Sequence, residues 1–372
     1  MIRVSAIGHV LGLLLAVFAA TLLVPVAWGL ATGGPVAELV WSMAVTLLAG
    51  AAAAWACPRP TTELSRREAL LLVVVAWAAA SAFGALPFYL SPFYPTFTDA
   101  FFESASGFTT TGSTVLANVE VLPEPLQFWR HFTHWIGVMG VVLLGVAILP
   151  LVGHGGMQLY RAEFSGARSE KLTPRIAETA AALWRIYALL SVASYAALRL
   201  AGLSAFDAIC HTFSTLGTGG FSTRTASVGA FHSPAVELIL VVFMLASGIS
   251  FLQHYRLWME RRPTKVLRDV EIRAFLAIVG AATMLVALSL VIQAGEGLWH
   301  ALRAALFQVS SIITTTGFAS EDFERWPPLP QLVLLALMFI GGCTGSTAGG
   351  LKVSRVMLLA RVVDREFRRM VE

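Results

Sequence analysis

The sequence predicts an all-α membrane protein, in which tandem modules of a helix, a short re-entrant helix and a second helix follow an N-terminal hairpin. Two observations predict this fold. Hydrophobic residues make up 57% of the 372 residues and charged residues 13%, far more apolar than a soluble domain of this length. A Thr/Gly motif also recurs in register at Gly112, Gly220 and Gly317. Intervals of roughly a hundred residues are too long for a solenoid, so each unit should be a small module rather than one helix pair. We predict that these modules surround a pseudo-symmetric pore.

The composition also excludes several classes of function. The net charge is +4, but no basic stripe with interleaved aromatics is present, so we predict no nucleic-acid partner. Cys57, Cys210 and Cys343 are far apart and form no CxxC pair, which argues against a disulfide framework or a zinc site. The apolar spans contain neither a nucleophile with a base nor paired carboxylates. We therefore predict that the protein is not an enzyme and has no cofactor.

Apolar runs of about 20 residues are long enough to cross the hydrocarbon core of a membrane. They cover residues 7–30, 36–57, 69–90, 128–152, 180–201, 233–255 and 274–294, with a broken run from 329 to about 363. Three shorter stretches, 97–112, 205–220 and 302–317, end in the Thr/Gly motif and are predicted to be re-entrant. The first run is longer than the apolar part of a signal peptide, so we predict a retained transmembrane helix.

The basic residues predict the orientation, because Lys and Arg are retained on the cytoplasmic side of a membrane. Most of the 26 basic residues lie in alternate connections, at 58–68, 153–185, 256–273 and in the tail after 351. These connections and the N-terminus of the multi-pass protein should face the cytoplasm. The connections that hold the Thr/Gly motifs should face outward.

These spans predict four domains along the chain. A transmembrane hairpin at residues 1–60 comes first. Three modules follow at 61–153, 154–258 and 259–372. The second module begins with a cytoplasmic amphipathic linker at 154–179, and the second helix of the third module is broken.

The Thr/Gly motifs have the chemistry of a cation filter. A dehydrated monovalent cation needs a ring of oxygen ligands, which extended backbone around a pore axis supplies as carbonyls. Glycine tolerates positive φ, threonine can add a hydroxyl, and the preceding short helix directs its negative end toward the ion. One such motif would indicate only a turn, but three in register favour a pore. The predicted ligand residues are Thr109, Thr110, Thr111, Gly112, Gly217, Thr218, Gly219, Gly220, Thr314, Thr315, Thr316 and Gly317.

A second Gly-rich segment follows the third motif. It consists of Gly341, Gly342, Cys343, Thr344, Gly345, Ser346, Thr347, Ala348, Gly349 and Gly350. It is not a phosphate-binding loop of the pattern GxxxxGK[ST], because Leu351 separates Gly350 from Lys352. We interpret it as a break in a membrane helix that partly blocks the conduction path, and the alternative is a close helix-packing site. Lys352 and Arg355 either hold this segment closed or anchor the helix on the cytoplasmic side.

Three acidic residues lie in or just before the re-entrant stretches. Glu103, Asp99 and Asp207 could concentrate cations at an outer mouth. For the two aspartates, charge complementarity with a helix N-terminus is an equal alternative.

Two histidines are spaced like metal ligands, because His131 and His134 lie three residues apart at the start of a predicted helix. No third ligand is evident. We therefore predict that they anchor the helix at the membrane interface, beside Trp129 and Trp135.

Taken together, these motifs resemble the Trk/Ktr/HKT superfamily of potassium transporters, and most of all its TrkH-type membrane subunits. The matching segments are ESASGFTTTGSTVL (103–116), HTFSTLGTGGFST (211–223), SIITTTGFAS (311–320), GGCTGSTAGGLK (341–352) and GGMQLYRAEF…KLTPRIAET (155–179). The resemblance covers essentially the whole chain. It implies a multi-pass protein of the cytoplasmic (inner) membrane of a bacterium, built of potassium-channel-like modules. Gly112, Gly220 and Gly317 would be the filter glycines, and residues 341–350 would form an intramembrane gating loop.

The resemblance also implies partners and a question of completeness. Such membrane subunits are homodimers regulated by a cytoplasmic nucleotide-binding ring protein, and a serine at the first filter position marks sodium-permeable plant relatives. The family has four modules, whereas this sequence ends at Glu372 after the third. We expect an incomplete chain or one that needs a partner, so a non-conducting subunit is the alternative function.

Overall fold

Within residues 2–62, 64–152 and 176–371, which the computed structural model describes, the chain is helical and contains no β-strand. The only extended pairing in this part of the chain is an isolated parallel bridge between Ile340 and Leu351. The predicted all-α class is therefore confirmed. Most of the predicted linker 154–179 lies outside the described residues.

The helices follow the predicted order. The first half contains α1 (Val4–Thr21), α2 (Leu23–Thr32), α3 (Ala37–Ala56), α4 (Arg66–Gly84), α5 (Leu86–Tyr89), α6 (Phe97–Phe108), α7 (Glu124–Val152) and α8 (Ile176–Leu200). The second half contains α9 (Ala205–Leu216), α10 (Pro234–Gly248), α11 (Phe251–Trp258), α12 (Pro263–Leu267), α13 (Val270–Ala294), α14 (Leu298–Ile313), α15 (Pro328–Met338) and α16 (Val353–Val371).

Two compact units contain these helices. The first unit comprises Met1–Trp184 and Ile209–Ser214, and the second comprises Arg185–Ala208 and Thr215–Glu372. In the first unit, α1 and α3 pack so closely that a Cβ on Gly12 would lie 2.6 Å from the Gly50 carbonyl oxygen. Such small-residue contacts let helix backbones approach within a membrane. In the second unit, α13, α14 and α15 enclose an apolar core that includes Phe275, Val309 and Leu334.

Helix lengths and apolarity agree with a multi-pass membrane protein. Among the described residues, the helices long and apolar enough to span a membrane cover Val4–Thr32, Ala37–Ala56, Arg67–Tyr89, Ala181–Leu200 and Val270–Ala294. A bent pair, Pro234–Gly248 with Phe251–Trp258, adds a sixth if it is counted as one span. These helices correspond to predicted runs, including the N-terminal one.

The prediction of one continuous helix over 233–255 is wrong. The chain turns by 102° between α10 and α11. Ile249 has extended backbone, and the carbonyls of Ser247 and Gly248 accept hydrogen bonds from the N–H groups of Thr347 and Cys343 in the Gly-rich segment. The helix can end at membrane depth because another piece of main chain satisfies its last carbonyls.

The broken run from 329 to about 363 is confirmed as broken but is not apolar throughout. α15 ends at Met338, residues 339–352 are irregular, and α16 then begins at Val353. Val353 is the only residue of α16 that is buried. α16 is not among the described helices apolar enough to span a membrane, because arginines interrupt its sequence.

Candidate functional site

A short helix precedes each Thr/Gly motif, as predicted. α6, α9 and α14 end at Phe108, Leu216 and Ile313, immediately before residues 109–112, 217–220 and 314–317. We call these three stretches the first, second and third bends. The first bend belongs to the first unit, and the other two belong to the second unit. Each bend therefore receives the carbonyl end of a helix, which carries a partial negative charge.

All three bends have the same backbone pattern, in which two left-handed residues are separated by one residue of negative φ. The φ values are 54° at Thr110 and 78° at Gly112, 49° at Thr218 and 76° at Gly220, and 55° at Thr315 and 85° at Gly317. A left-handed threonine is unfavourable, so its recurrence at one position of the repeat needs a structural reason. Alternation of hand turns successive peptide groups the same way, with their N–H groups on one side and their carbonyls on the other.

A repeated serine fixes the first and third bends in the same way. The Ser106 hydroxyl donates to the Ser113 carbonyl at 2.6 Å, and the Ser311 hydroxyl donates to the Phe318 carbonyl at 2.6 Å. Both acceptors directly follow the last glycine of the bend. The hydroxyls therefore close each bend onto the helix that precedes it.

Within each of these two bends, the first and third threonines form a hydrogen bond between their hydroxyls. The hydroxyl oxygens of Thr109 and Thr111 are 2.8 Å apart, and those of Thr314 and Thr316 are 2.7 Å apart. Thr109 and Thr314 also donate to carbonyls in the last turn of the preceding helix, at 2.7 Å and 2.6 Å. These hydroxyls therefore help to hold the two bends against their helices.

The second and third bends touch through their main chains. A Cβ on Gly220 would lie 2.1 Å from the Thr316 carbonyl oxygen, which is too close for any side chain. A Cβ on Gly317 would meet nothing within 4 Å, so only its left-handed backbone favours glycine there. The two glycines are therefore required for different reasons.

The Gly-rich segment 341–350 lies directly against these two bends. The Thr218 hydroxyl donates to the Thr347 carbonyl at 3.1 Å, and the Gly349 N–H donates to the Thr315 hydroxyl at 2.7 Å. Both contacts use the left-handed threonine of a bend. The two ends of the segment approach each other so closely that a Cβ on Gly341 would lie 1.8 Å from the Gly349 carbonyl oxygen.

A carboxylate that the sequence analysis missed holds the other side of this segment. Glu271, in the first turn of α13, accepts from the Thr344 N–H at 2.7 Å, the Thr344 hydroxyl at 2.9 Å and the Ser354 N–H at 3.2 Å. The sequence carries no signal that singles out Glu271, because Glu260 and Asp269 are also acidic residues of the strongly basic connection 256–273. Glu271 thus links α13, the Gly-rich segment and the start of α16.

The two cations after the segment differ in position. Lys352 is half-buried, and its ammonium group donates to the Ala348 carbonyl. Arg355 is exposed on the first turn of α16. Of the two predicted gate cations, Lys352 thus contacts the Gly-rich segment directly.

The prediction that Glu103 attracts cations at an outer mouth is wrong, because its side chain is fully buried. Arg130 Nε donates to Glu103 Oε1 at 2.6 Å. The aspartates instead lie in the first turns of their helices. Asp99 and Asp207 each accept a hydrogen bond from the hydroxyl of the capping residue, Thr96 at 2.7 Å and Ser204 at 2.8 Å.

The prediction that Trp129, His131, His134 and Trp135 anchor their helix at the membrane interface is also wrong for the first three of these residues. Trp129, His131 and His134 are fully buried within the first unit. Trp129 Nε1 donates to the Gly84 carbonyl at 3.0 Å, and His131 Nδ1 lies 2.8 Å from the Gln127 carbonyl. Throughout the described residues, no group of three or more His, Cys, Asp and Glu side chains is arranged to hold a metal ion.

Comparison with known proteins adds a family and a fold. The family TrkH, described as "Cation transport protein", matches residues 37–372. The Trk system potassium uptake protein TrkH of Salmonella typhimurium is 44% identical over 375 residues, which cover 98% of this chain and 77% of that protein. The TrkH of Escherichia coli K12 is 43% identical with the same coverage. The crystal structure of the potassium transporter TrkH from Vibrio parahaemolyticus matches with a TM-score of 0.87 and 40% identity, covering 100% of this chain and 77% of that one.

The two glycines of the touching bends provide a matched pair of substitutions. Gly317→Ala should lower the free energy of unfolding by about 1 kcal/mol, the penalty of a left-handed alanine. Gly220→Ala should cost about 1–3 kcal/mol more, because the added methyl group must also displace the Thr316 carbonyl. Thermal unfolding in detergent, followed by tryptophan fluorescence, measures both. Equal effects of the two substitutions would contradict the close contact between the bends.

Proposed function

Because the chain belongs to the TrkH family of cation transport proteins, we propose that it takes up potassium ions across the cytoplasmic membrane of a bacterium. It is a multi-pass Trk potassium transporter and not an enzyme. The observation that carries the proposal is the backbone pattern of the bends, with a left-handed threonine and a left-handed glycine at equivalent positions three times. The non-conducting alternative is not favoured, since the relatives that match 98% of the chain are potassium uptake proteins.

We propose the twelve residues of the bends as the potassium site. Their carbonyls would replace the water that the ion loses on entry, and the helix ends at Phe108, Leu216 and Ile313 would favour its positive charge. The bends are suited to this because hydroxyls and neighbouring main chain already fix them. A site held in advance discriminates between ions without having to reorganise around each one.

The Gly-rich segment 341–350 is proposed as the gate. Two hydrogen bonds support this proposal and keep the segment against the bends: the Thr218 hydroxyl donates to the Thr347 carbonyl, and the Thr315 hydroxyl accepts from the Gly349 N–H. A segment in that place obstructs an ion that leaves the carbonyls. Glu271 and Lys352 hold it from the other side, so opening requires that these contacts break.

The orientation of the chain and its partners are proposed from the sequence. The alternation of basic connections supports a cytoplasmic N-terminus. The resemblance to TrkH-type subunits supports a homodimer and a cytoplasmic nucleotide-binding ring protein as regulator. We propose both as partners, together with the lipid bilayer that surrounds the apolar helices.

Potassium flux into liposomes that contain the purified protein tests the function and the filter together. The protein should pass K⁺ in preference to Na⁺. Gly112→Ser should lower the K⁺/Na⁺ flux ratio by about tenfold, or about 1.4 kcal/mol, because a side chain at a left-handed position displaces the carbonyls. Gly33→Ser is the control, since Gly33 is also left-handed, lies outside the bends and has open space around its Cα. No flux from the unaltered protein would contradict the function, and an unchanged ratio in Gly112→Ser would contradict the filter.

Removal of the proposed gate should increase the flux. Deletion of residues 343–349 should raise the rate of K⁺ flux severalfold and leave the K⁺/Na⁺ ratio unchanged, because the segment obstructs the path without supplying the selective ligands. The same liposome assay measures both quantities. A flux that stays the same or falls, in protein that still unfolds cooperatively, would contradict the gate.

A further inference from the structure

The first unit contains an ion pair that is buried almost completely. Arg130 of α7 donates from Nε to Oε1 of Glu103 in α6 at 2.6 Å, and the two side chains are 2% and 0% exposed. Charged groups removed from water are costly within a membrane protein unless they are paired and hydrogen-bonded. The geometry of this pair meets that requirement, so we ask what else its carboxylate holds.

The Glu103 carboxylate also binds the residues that leave the first bend. The Thr114 hydroxyl lies 2.9 Å from both carboxylate oxygens, and the Val115 N–H donates to Oε2 at 3.2 Å. Thr114 comes two residues after Gly112. Ser106 already fixes the intervening Ser113 carbonyl, so the stretch 113–115 is held from α6 at two points.

The residues that follow the second and third bends are bound by side chains other than the equivalent of Glu103. The positions equivalent to Glu103 are His211 and Gln308, which are also buried. After the second bend, the Thr223 hydroxyl donates to Asp207 at 2.6 Å. After the third bend, the Ala319 N–H donates to the Ser227 hydroxyl at 3.2 Å. Among the described residues, the first bend is thus the one that is followed by residues bound to a carboxylate of a fully buried ion pair.

We propose that the Glu103–Arg130 pair positions the carbonyls of the first bend and so contributes to ion selectivity. The inference rests on the proposed function of the bends as a potassium filter. Arg130 fixes the carboxylate, the carboxylate fixes Thr114 and Val115, and these residues set where the chain leaves Gly112. Glu103 acts through the backbone and does not itself contact the ion.

Glu103→Gln tests the pair, because it retains the shape of the side chain and removes its charge. In the liposome assay, K⁺ flux should persist while the K⁺/Na⁺ flux ratio falls by about tenfold. Glu68→Gln is the matched control. Glu68 is also a buried acid of the first unit that is paired with an arginine, Arg3, at 2.9 Å, but it lies at the start of α4. That variant should lose thermal stability and keep the wild-type flux ratio.

A second variant covers the case in which Glu103→Gln does not fold. Thr114→Val removes the hydroxyl that contacts both oxygens of the carboxylate and accepts from the Leu116 N–H at 3.2 Å, and it leaves the ion pair in place. Thr114 is exposed, so the protein should still fold. It should lower the K⁺/Na⁺ ratio in the same direction but by less. Wild-type ratios in Thr114→Val and in any folded Glu103→Gln protein would overturn the inference and leave the function intact. Absence of selective K⁺ flux in the unaltered protein would overturn the proposed function itself.

Discussion

Main chain that leaves a helix inside a membrane must find partners for its N–H and carbonyl groups, and the site depends on how this chain meets that constraint. At the bends, serine hydroxyls and carboxylates of the preceding helices bind the groups that follow the left-handed residues. The carbonyls of the bends remain as the groups that can replace the hydration shell of an ion. The proposed site is therefore a set of main-chain groups held in place by side chains, and not a set of side-chain ligands.

The same constraint explains why two breaks in the second unit occur together. α10 ends at Gly248 and α15 ends at Met338, and each would leave unsatisfied main chain if it stood alone. Because the Cys343 N–H donates to the Gly248 carbonyl at 2.8 Å and the Phe251 N–H donates to the Gly345 carbonyl at 3.0 Å, each break completes the other. If the Gly-rich segment is the proposed gate, it can move only if both breaks rearrange.

The sequence predicted the fold well where one local pattern was sufficient. Apolar runs predicted the long helices, and the repeated Thr/Gly motif located the bends to the residue. The turn after Gly248 could not be predicted, because the apolar run continues on both sides and the partners of the broken helix lie about a hundred residues later. The burial of individual charged residues could not be predicted from the sequence either. Glu103 was assigned to a solvated mouth because its partner, Arg130, stands 27 residues away, and Glu271 gave no signal that it would accept three hydrogen bonds.

The central claim is that carbonyls of the bends are the ligands of the transported ion. Crystals of the protein grown with Rb⁺ in place of K⁺ test it most directly, because the anomalous signal of rubidium locates the ion without reference to water. The account predicts anomalous density in direct contact with carbonyl oxygens of the residues around Gly220 and Gly317. Rubidium density found only at carboxylates, with none beside these carbonyls, would contradict it.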